Sequence, residues 1–263
     1  QVLLLMSACS TPQPTLPPPT ATSVPTATPE PSPTATATPE PPVWDYVALG
    51  DSFVALASTY GYTNHYAAYL EADLGVKVIQ NNKGISGMQS GELLDRIRND
   101  QAWRKAISEA EVVTVYIGGN DVGYQLIGEY KFGKCGGDDN MDCIRKAYET
   151  FMANYDAILD ELLTLCAPGA IIRVATCPYG SLRAYGYSGE TTSFLKPLNE
   201  QIIQSAAEHN IPLARVDIAF NGPTGDENAE DKEYFKDGWH PSILGATIMA
   251  DVHRELGYEP TVP

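Results

Sequence analysis

The chain has 263 residues, of which 43% are hydrophobic, and it carries a formal net charge of -16. This hydrophobic content is enough for a sizeable core, and the roughly 220 residues that follow the N-terminal segment suit a single domain. A surface this acidic repels phosphate backbones and anionic headgroups, which argues against nucleic acid as a partner.

The first nine residues, QVLLLMSAC, indicate the end of a bacterial export signal. The apolar run at residues 2–6 is too short to span a bilayer and matches the end of a signal-peptide hydrophobic region. Ser7 and Ala8 precede Cys9, an arrangement that resembles a lipobox, in which the cysteine receives a diacylglyceryl group. The resemblance implies a lipid anchor on Cys9, which would hold the protein to a membrane outside the cell. An ordinary secretory signal with an incidental cysteine is the alternative, and it too exports the protein.

The next segment, residues 10–42, is dominated by Thr, Pro, Ala and Ser. This composition cannot bury apolar area to offset the entropy of ordering, and its prolines favour extended geometry. We therefore predict three regions: a signal-peptide remnant at residues 1–9, a disordered stalk at 10–42 and one folded domain at 43–263.

Strand-like and helix-like segments alternate throughout the predicted domain. Five short apolar runs indicate strands: DYVALG, VKVIQNN, VVTVYIG, IIRVAT and IPLARVDI. Segments of helical length follow them, at residues 56–74, 90–110, 141–166, 190–210 and 243–256. Nearly continuous apolar strands separated by helices are typical of a parallel sheet that is covered on both faces. The sequence therefore predicts an α/β fold, a three-layer α/β/α sandwich with a five-stranded parallel sheet.

Unusual polar clusters stand where these strands end. GDS follows the first strand, NNKGISG the second, GGND the third and CPYG the fourth, while DGWHPS precedes the last helix. Ligands bind at the carboxyl ends of the strands in such sheets. Ser52, which could serve only as the cap of the next helix, is therefore also a candidate nucleophile.

Four of these blocks, in this order, resemble the SGNH, or GDSL, family of serine esterases and lipases. They lie at residues 50–52, 82–87, 118–121 and 237–242, and so extend over nearly the whole domain. The resemblance implies that family's flavodoxin-like fold and the hydrolysis of carboxylic esters through an acyl-serine intermediate, without a metal or another cofactor. The chain has no G-x-S-x-G, the nucleophile elbow of the larger α/β-hydrolase class.

A serine hydroxyl attacks an ester at neutral pH when a base takes its proton and a third group orients that base. His240 is the histidine that lies in a loop, and the others fall within or near helix-like stretches: His65, His209 and His253. Asp237 precedes His240 by three residues, which lets its carboxylate reach one imidazole nitrogen while the other faces Ser52. We therefore expect Ser52, Asp237 and His240 to form a catalytic triad.

The negative oxygen of a tetrahedral intermediate needs donors that are already aimed at it. By the family's pattern these are the backbone N–H groups of Ser52 and Gly87 and the side-chain amide of Asn120. Glycine at position 87 suits a close approach between backbone and ligand. Asn120 could instead form only a turn, the role that we assign to Asp121 as a stabiliser of its loop.

The folded domain contains Cys135, Cys143, Cys166 and Cys177, and export permits disulfides. Cys166 would end a helix and Cys177 the following strand, which puts them at opposite poles of the sheet, about 20 Å apart and beyond the reach of a disulfide. We therefore favour a bridge between Cys135 and Cys143. The loop between them, GGDDNMD, lacks the ligand spacing of a calcium-binding EF-hand and indicates a solvated loop that caps the next helix.

Tyrosines occur in two loops that should border the site. Tyr124 lies after the third strand, and Tyr179 and Tyr185 lie after the fourth. Because the tyrosine ring is apolar and its hydroxyl polar, these side chains could form a sugar platform or an acyl-chain wall, or they could pack the loops.

Two functions from different classes fit these residues. The first is an exported serine esterase that acts on short-chain acyl or acetyl esters of carbohydrates or lipids, so that its partner is a small-molecule or polysaccharide ester. The second is a non-catalytic cell-surface module that binds carbohydrate on the same fold. The intact set of Ser52, Asp237 and His240 argues against the second, since a binding module has no need of all three.

Overall fold

The computed structural model describes residues 13–17, 40–56, 61–187, 189 and 191–263. Cys9 and most of the predicted stalk lie outside the described residues. Residues Glu40–Pro263 form one compact unit. Within the described residues, no helix has the length and apolar character needed to cross a membrane.

A parallel sheet of five strands forms the centre of the described fold. Its strands are β1 (Val43–Gly50), β2 (Lys77–Gly84), β3 (Val112–Tyr116), β4 (Ile171–Ala175) and β5 (Leu213–Ala214), in the order β2-β1-β3-β4-β5. Every residue of β3 and β4 is buried, as expected for strands covered on both faces. The chain runs from β1 to β2 at one edge and then returns to β3. The crevice between β1 and β3 is therefore the switch point at which such folds bind ligands.

Helices pack on both faces of the sheet and complete the predicted three-layer sandwich. They are α1 (Ser52–Ala55), α2 (Tyr62–Leu74), α3 (Ser90–Asn99), α4 (Gln101–Glu109), α5 (Gly119–Gly128), α6 (Asp142–Leu165), α7 (Thr192–Glu208), α8 (Val216–Asn221) and α9 (Ile243–Glu255). The expected α/β/α architecture with five parallel strands is confirmed.

Three predicted elements differ from the structure, and the first is the helix expected over residues 56–74, of which the described helical part is α2, beginning at Tyr62. The helix expected over residues 90–110 is two helices, because the Asp100 carboxylate accepts hydrogen bonds from the N–H groups of Ala102 and Trp103 and so begins a new helix. The fifth strand ends at Ala214, and the remainder of its apolar run belongs to α8. A short apolar run suits a buried strand and a buried helix equally, so the sequence pattern did not separate them.

Arg173 occupies a buried position in β4, inside a run that the sequence analysis treated as apolar. Its guanidinium donates to the carbonyl oxygens of Gly257 and Glu259 at 2.9 and 3.0 Å and to Thr261 Oγ1 at 3.0 Å. These bonds satisfy the two terminal nitrogens of the guanidinium, which offsets much of the cost of burying the cation, while Nε has no partner. Arg173 thereby ties the C-terminal segment to the sheet.

The cysteine pairing agrees with the prediction. Cys135 and Cys143 form a disulfide, and Cys166 and Cys177 are buried free thiols. Cys166 follows the end of α6, and Cys177 lies two residues beyond the end of β4. The whole of β4 therefore separates the two cysteines along the chain. Arg145 of α6 pairs with Asp139 and Asp142, whose carboxylates lie between the bridged cysteines in sequence, and so offsets their charge.

Replacing Cys135 and Cys143 together with serine is expected to lower the free energy of unfolding by about 2–3 kcal/mol, because the bridge restricts a short loop in the unfolded chain. Urea unfolding without reductant measures the change. Cys166→Ser is the matched control, since it removes a buried thiol without removing a cross-link. A double variant as stable as the unaltered protein would contradict the expected contribution.

Candidate active site

The turn after β1 places Ser52 in the lining of a cavity at the carboxyl end of the sheet, where the residue is largely buried. Gly50 has a φ of +147°, and a Cβ on it would lie 1.9 Å from the carbonyl oxygen of Tyr116 in β3. Glycine is therefore required here, because β1 and β3 approach too closely for a side chain. Asp51, rather than Ser52, caps α1 by accepting a hydrogen bond from the N–H of Phe53 at 2.9 Å. The Ser52 hydroxyl is left available for another partner.

That partner is His240. Its Nε2 atom lies 3.0 Å from Ser52 Oγ, and its Nδ1 atom lies 2.8 Å from Asp237 Oδ2. Asp237 Oδ1 also accepts the backbone N–H groups of Trp239 and His240, at 3.0 and 2.7 Å. The structure thus brings the three predicted triad residues into one hydrogen-bonded chain, across a sequence separation of 188 residues between Ser52 and His240.

The charge of Asp237 is stabilised by its hydrogen bonds. Burial works to raise the pKa of this carboxyl, but hydrogen bonds from His240 and Trp239 outweigh it and hold the pKa below its ordinary value. Asp237 is therefore ionised at neutral pH. An ionised carboxylate on Nδ1 favours the tautomer that carries its proton on Nδ1, so that Nε2 is free to accept a proton from Ser52.

The three residues predicted to donate to the oxyanion line one cavity together with His240. They are Ser52, Gly87 and Asn120. Ser52 is the first residue of α1, so its N–H has no partner within the helix. Gly87 lies in the turn between β2 and α3 with a φ of +81°, a conformation that favours glycine. Asn120 lies in the first turn of α5 and is 9% exposed.

Asp121, predicted to stabilise its loop, lies beside Asn120 and is buried. Its carboxyl accepts the N–H of Ser90 at 3.1 Å and the Ser90 hydroxyl at 2.5 Å. Burial raises the pKa of Asp121 to about 6, although the hydrogen bonds from Ser90 act in the opposite direction. These contacts join the start of α3 to α5 and so hold together two of the loops that border the site.

The cavity over Ser52 has a volume of about 480 Å³, and its lining combines apolar and aromatic side chains with polar ones. Two of the three predicted tyrosines, Tyr124 and Tyr185, line it, and each is 43% exposed. The Tyr185 hydroxyl also lies 3.5 Å from His240 Nδ1. The remaining apolar lining comes from Leu56, Ile127, Leu182 and Trp239.

The structure places Tyr179 elsewhere. Its side chain is buried and lines other cavities, and its backbone N–H and carbonyl bond to the side chain of Asn221 at 2.8 and 2.9 Å. Tyr179 therefore packs its loop and is not among the residues that line the catalytic cavity.

Trp239 is one of the cavity residues that the sequence analysis missed. It is 7% exposed, and its ring covers α5 so closely that a Cβ on Gly119 would lie 3.2 Å from it. The small residues in GGNDVG therefore leave room for the indole. The signal was present in the sequence, since Trp239 stands directly before His240 in a block already assigned to the site.

A serine, a histidine and an aspartate bonded in this order, beside a row of N–H donors, define the class of serine hydrolases. The family model described as the GDSL-like lipase/acylhydrolase family matches residues 48–248. The chain belongs to this family and is a carboxylic ester hydrolase.

Solved structures share the fold at low sequence identity. A lipase, Lip_vut3 from a goat rumen metagenome, is 20% identical with a TM-score of 0.66, covering 83% of this chain and 99% of its own. Axe2, an acetylxylan esterase from Geobacillus stearothermophilus, is 21% identical with a TM-score of 0.60, covering 85% of this chain and 98% of its own. No curated protein matches the sequence. At this level of identity the likeness concerns the fold.

Replacing Asn120 with alanine is expected to lower kcat by roughly 100- to 1000-fold, because one preorganised donor to the oxyanion is lost, worth about 3 kcal/mol. Steady-state hydrolysis of p-nitrophenyl acetate measures the change. Asn99→Ala is the matched control, since that asparagine lies on the exposed surface and bonds to Asp95. Unchanged turnover in Asn120→Ala would remove this side chain from the mechanism.

Proposed function

We propose that the protein is an exported, lipid-anchored serine esterase that hydrolyses acetyl and other short-chain acyl esters of carbohydrates or lipids through an acyl-serine intermediate. The observation that carries the proposal is the relay from Ser52 Oγ to His240 Nε2, at 3.0 Å, and from His240 Nδ1 to Asp237, at 2.8 Å. A nucleophile, a base and an orienting carboxylate are the parts that acyl transfer to serine requires.

In the proposed first step, Ser52 Oγ attacks the carbonyl carbon of the ester while its proton moves to His240 Nε2. The carbonyl oxygen becomes negative and accepts hydrogen bonds from the N–H groups of Ser52 and Gly87 and from the Asn120 amide. Asp237 stabilises the imidazolium that forms. Collapse of this intermediate breaks the bond to the alcohol, which leaves with the proton from His240, and the acyl group remains on Ser52.

In the second step, a water molecule attacks the acyl carbon and gives its proton to His240 Nε2. The second tetrahedral intermediate uses the same three donors. When it collapses, Ser52 recovers its proton from His240 and the carboxylic acid is released. These steps need groups of the chain alone, so the proposed mechanism assigns no role to a metal or another cofactor.

The lining of the cavity supports an ester whose acyl group meets apolar surface and whose alcohol lies beside aromatic rings. Trp239 and Ile127 present apolar surface beside the nucleophile, while the partly exposed rings of Tyr124 and Tyr185 lie at its border. An aromatic ring with a polar tip can stack on a sugar and bond to its hydroxyls. The net charge of -16 disfavours anionic substrates.

The central test is labelling by a fluorophosphonate, which reacts with an activated serine. We expect the unaltered protein to be labelled and Ser52→Ala to be unlabelled, because the His240 base bonds to Ser52. Ser86→Ala is the matched control and should keep the label, since Ser86 lines the same cavity. An unreactive unaltered protein would favour the non-catalytic binding module.

The same preparation distinguishes the substrates. Turnover of p-nitrophenyl esters should fall as the acyl chain lengthens from acetate to octanoate, and acetylated xylan should release acetate. A preference for octanoate would contradict the short-chain proposal while leaving the esterase in place. No release from acetylated xylan would favour small or lipid alcohols over this polysaccharide.

Export and anchoring rest on the N-terminal sequence. The apolar run at residues 2–6, the small residues before Cys9 and the Pro- and Thr-rich segment at 10–42 support an anchor followed by a stalk. In bacteria that express the precursor with its complete signal, mass spectrometry of the N-terminal peptide should find a diacylglyceryl group on Cys9. An unmodified thiol at Cys9 would contradict the anchor.

A further inference from the structure

The Asn120 amide bonds to the neighbours of both backbone donors in the proposed oxyanion pocket. Its Nδ2 atom lies 3.1 Å from the carbonyl oxygen of Met88, which follows Gly87. The same atom lies 3.4 Å from Oδ2 of Asp51, which precedes Ser52. One side-chain amide therefore bridges the loops that carry the other two donors.

These two contacts determine which end of the amide faces the pocket. An asparagine side chain can present its NH2 group or its oxygen, and the two orientations have nearly the same shape. Because Met88 O and Asp51 Oδ2 both accept, the NH2 orientation is favoured and the reverse would bring oxygens together. The contact of Nδ2 with Asp51 Oδ2, at 3.4 Å, is longer than its contact with Met88 O, at 3.1 Å. The amide hydrogen that faces Asp51 is therefore held weakly and can turn to the negative oxygen of a tetrahedral intermediate.

Asp51 itself is held rigidly. The residue is 2% exposed, its Oδ1 atom accepts the N–H of Phe53 at 2.9 Å, and its own N–H donates to Tyr116 O at 3.3 Å. Burial raises the pKa of Asp51 to about 8, and the hydrogen bond from Phe53 acts in the opposite direction.

We propose that Asp51 is a positioning residue, whose carboxyl directs the Asn120 NH2 group toward the oxyanion. It acts through Asn120 and touches neither the ester nor the nucleophile's hydroxyl. This inference rests on the proposed function, because the pocket has a role only if an oxyanion forms there.

Asp51→Asn separates this role from capping. Asparagine caps helices as well as aspartate does, so its side-chain oxygen can still accept the Phe53 N–H. Its NH2 group would then face the NH2 group of Asn120, where the carboxyl had accepted. We expect kcat for p-nitrophenyl acetate to fall about tenfold with KM nearly unchanged, because the affected hydrogen bond strengthens only in the transition state.

A double-mutant cycle with Asn120→Ala tests the proposal. If Asp51 acts through Asn120, then Asp51→Asn lowers kcat about tenfold in the unaltered protein and less than about twofold when Asn120 is already alanine. The same fold-reduction in both backgrounds would overturn the proposal and leave Asp51 a purely structural residue.

Asp121→Asn is the matched control, being the same substitution at a buried carboxyl that bonds to Ser90 rather than to Asn120. Its effect should be equal in the two Asn120 backgrounds. If Asp121→Asn, like Asp51→Asn, lowered kcat in the unaltered protein but not in Asn120→Ala, the result would indicate a general loss of order in the pocket. That result would overturn the proposal.

Asp51→Ser provides a second route if Asp51→Asn does not fold. Serine can cap α1 but has no second oxygen to reach Asn120, so the same dependence on Asn120 is expected. An additive result with this variant also overturns the proposal. Absence of turnover and of fluorophosphonate labelling in the unaltered protein would instead contradict the proposed function, which makes the two failures distinguishable.

Discussion

The 3.0 Å contact between Ser52 Oγ and His240 Nε2 is the constraint on which the site depends. The two residues are far apart in the chain, so the contact requires two separate supports. Ser52 is held by the end of β1, where Gly50 lets the backbone pass close to β3. His240 is held by a loop closed on itself by the bridge between Phe235 and Pro241 and by the bond from Lys236 N–H to the His240 carbonyl, at 3.0 Å.

The loop of His240 is in turn supported by the segment after β4. The Ser181 N–H donates to the Gly238 carbonyl at 2.6 Å, and Gly180 lies so close to that carbonyl that a Cβ would meet it at 2.2 Å. The segment that continues into Leu182 and Tyr185 therefore supports the catalytic loop and lines the cavity at once. A change in this segment would alter both substrate contacts and the position of the histidine. Loops carried by a rigid scaffold commonly hold such functional residues.

Buried carboxyls surround the proposed oxyanion pocket, and they carry an electrostatic cost. Burial raises the pKa of Asp51 to about 8 and that of Asp121 to about 6, while every carboxyl has at least two hydrogen-bond donors. A folded-state pKa above the unfolded value stabilises the fold at acidic pH, and this contribution is lost as the pH rises through the folded value. The free energy of unfolding is therefore expected to fall as the pH rises from about 4 to about 8, because both carboxyls ionise less readily in the folded protein. Residues that order a catalytic pocket commonly do so at the expense of stability.

The sequence by itself determined the α/β class, the strands, the Cys135–Cys143 pairing and the residues of the serine, histidine and aspartate chain. The α/β class, the strands and the disulfide depend on the apolar runs and on where the cysteines stand among them, and Ser52 follows from the rule that ligands bind at the carboxyl ends of parallel strands. Asp237 and His240 follow from their spacing in a loop and from the resemblance of four sequence blocks to the SGNH family. The carboxyl ends of three strands could be predicted to lie side by side, because the rules for connecting parallel strands leave few alternative strand orders.

Only the tertiary structure decided which side chains face the cavity and which partner each polar atom takes. Tyr179 is buried away from the catalytic cavity, and the Trp239 ring packs over Gly119. Asp51 caps α1, a role that the sequence allowed for Ser52. The length of β5 and the break at Asp100 were likewise decided by packing and capping. The physical reason is the same in each case: the direction of a side chain depends on the backbone that packs against it, and that backbone comes from distant parts of the chain.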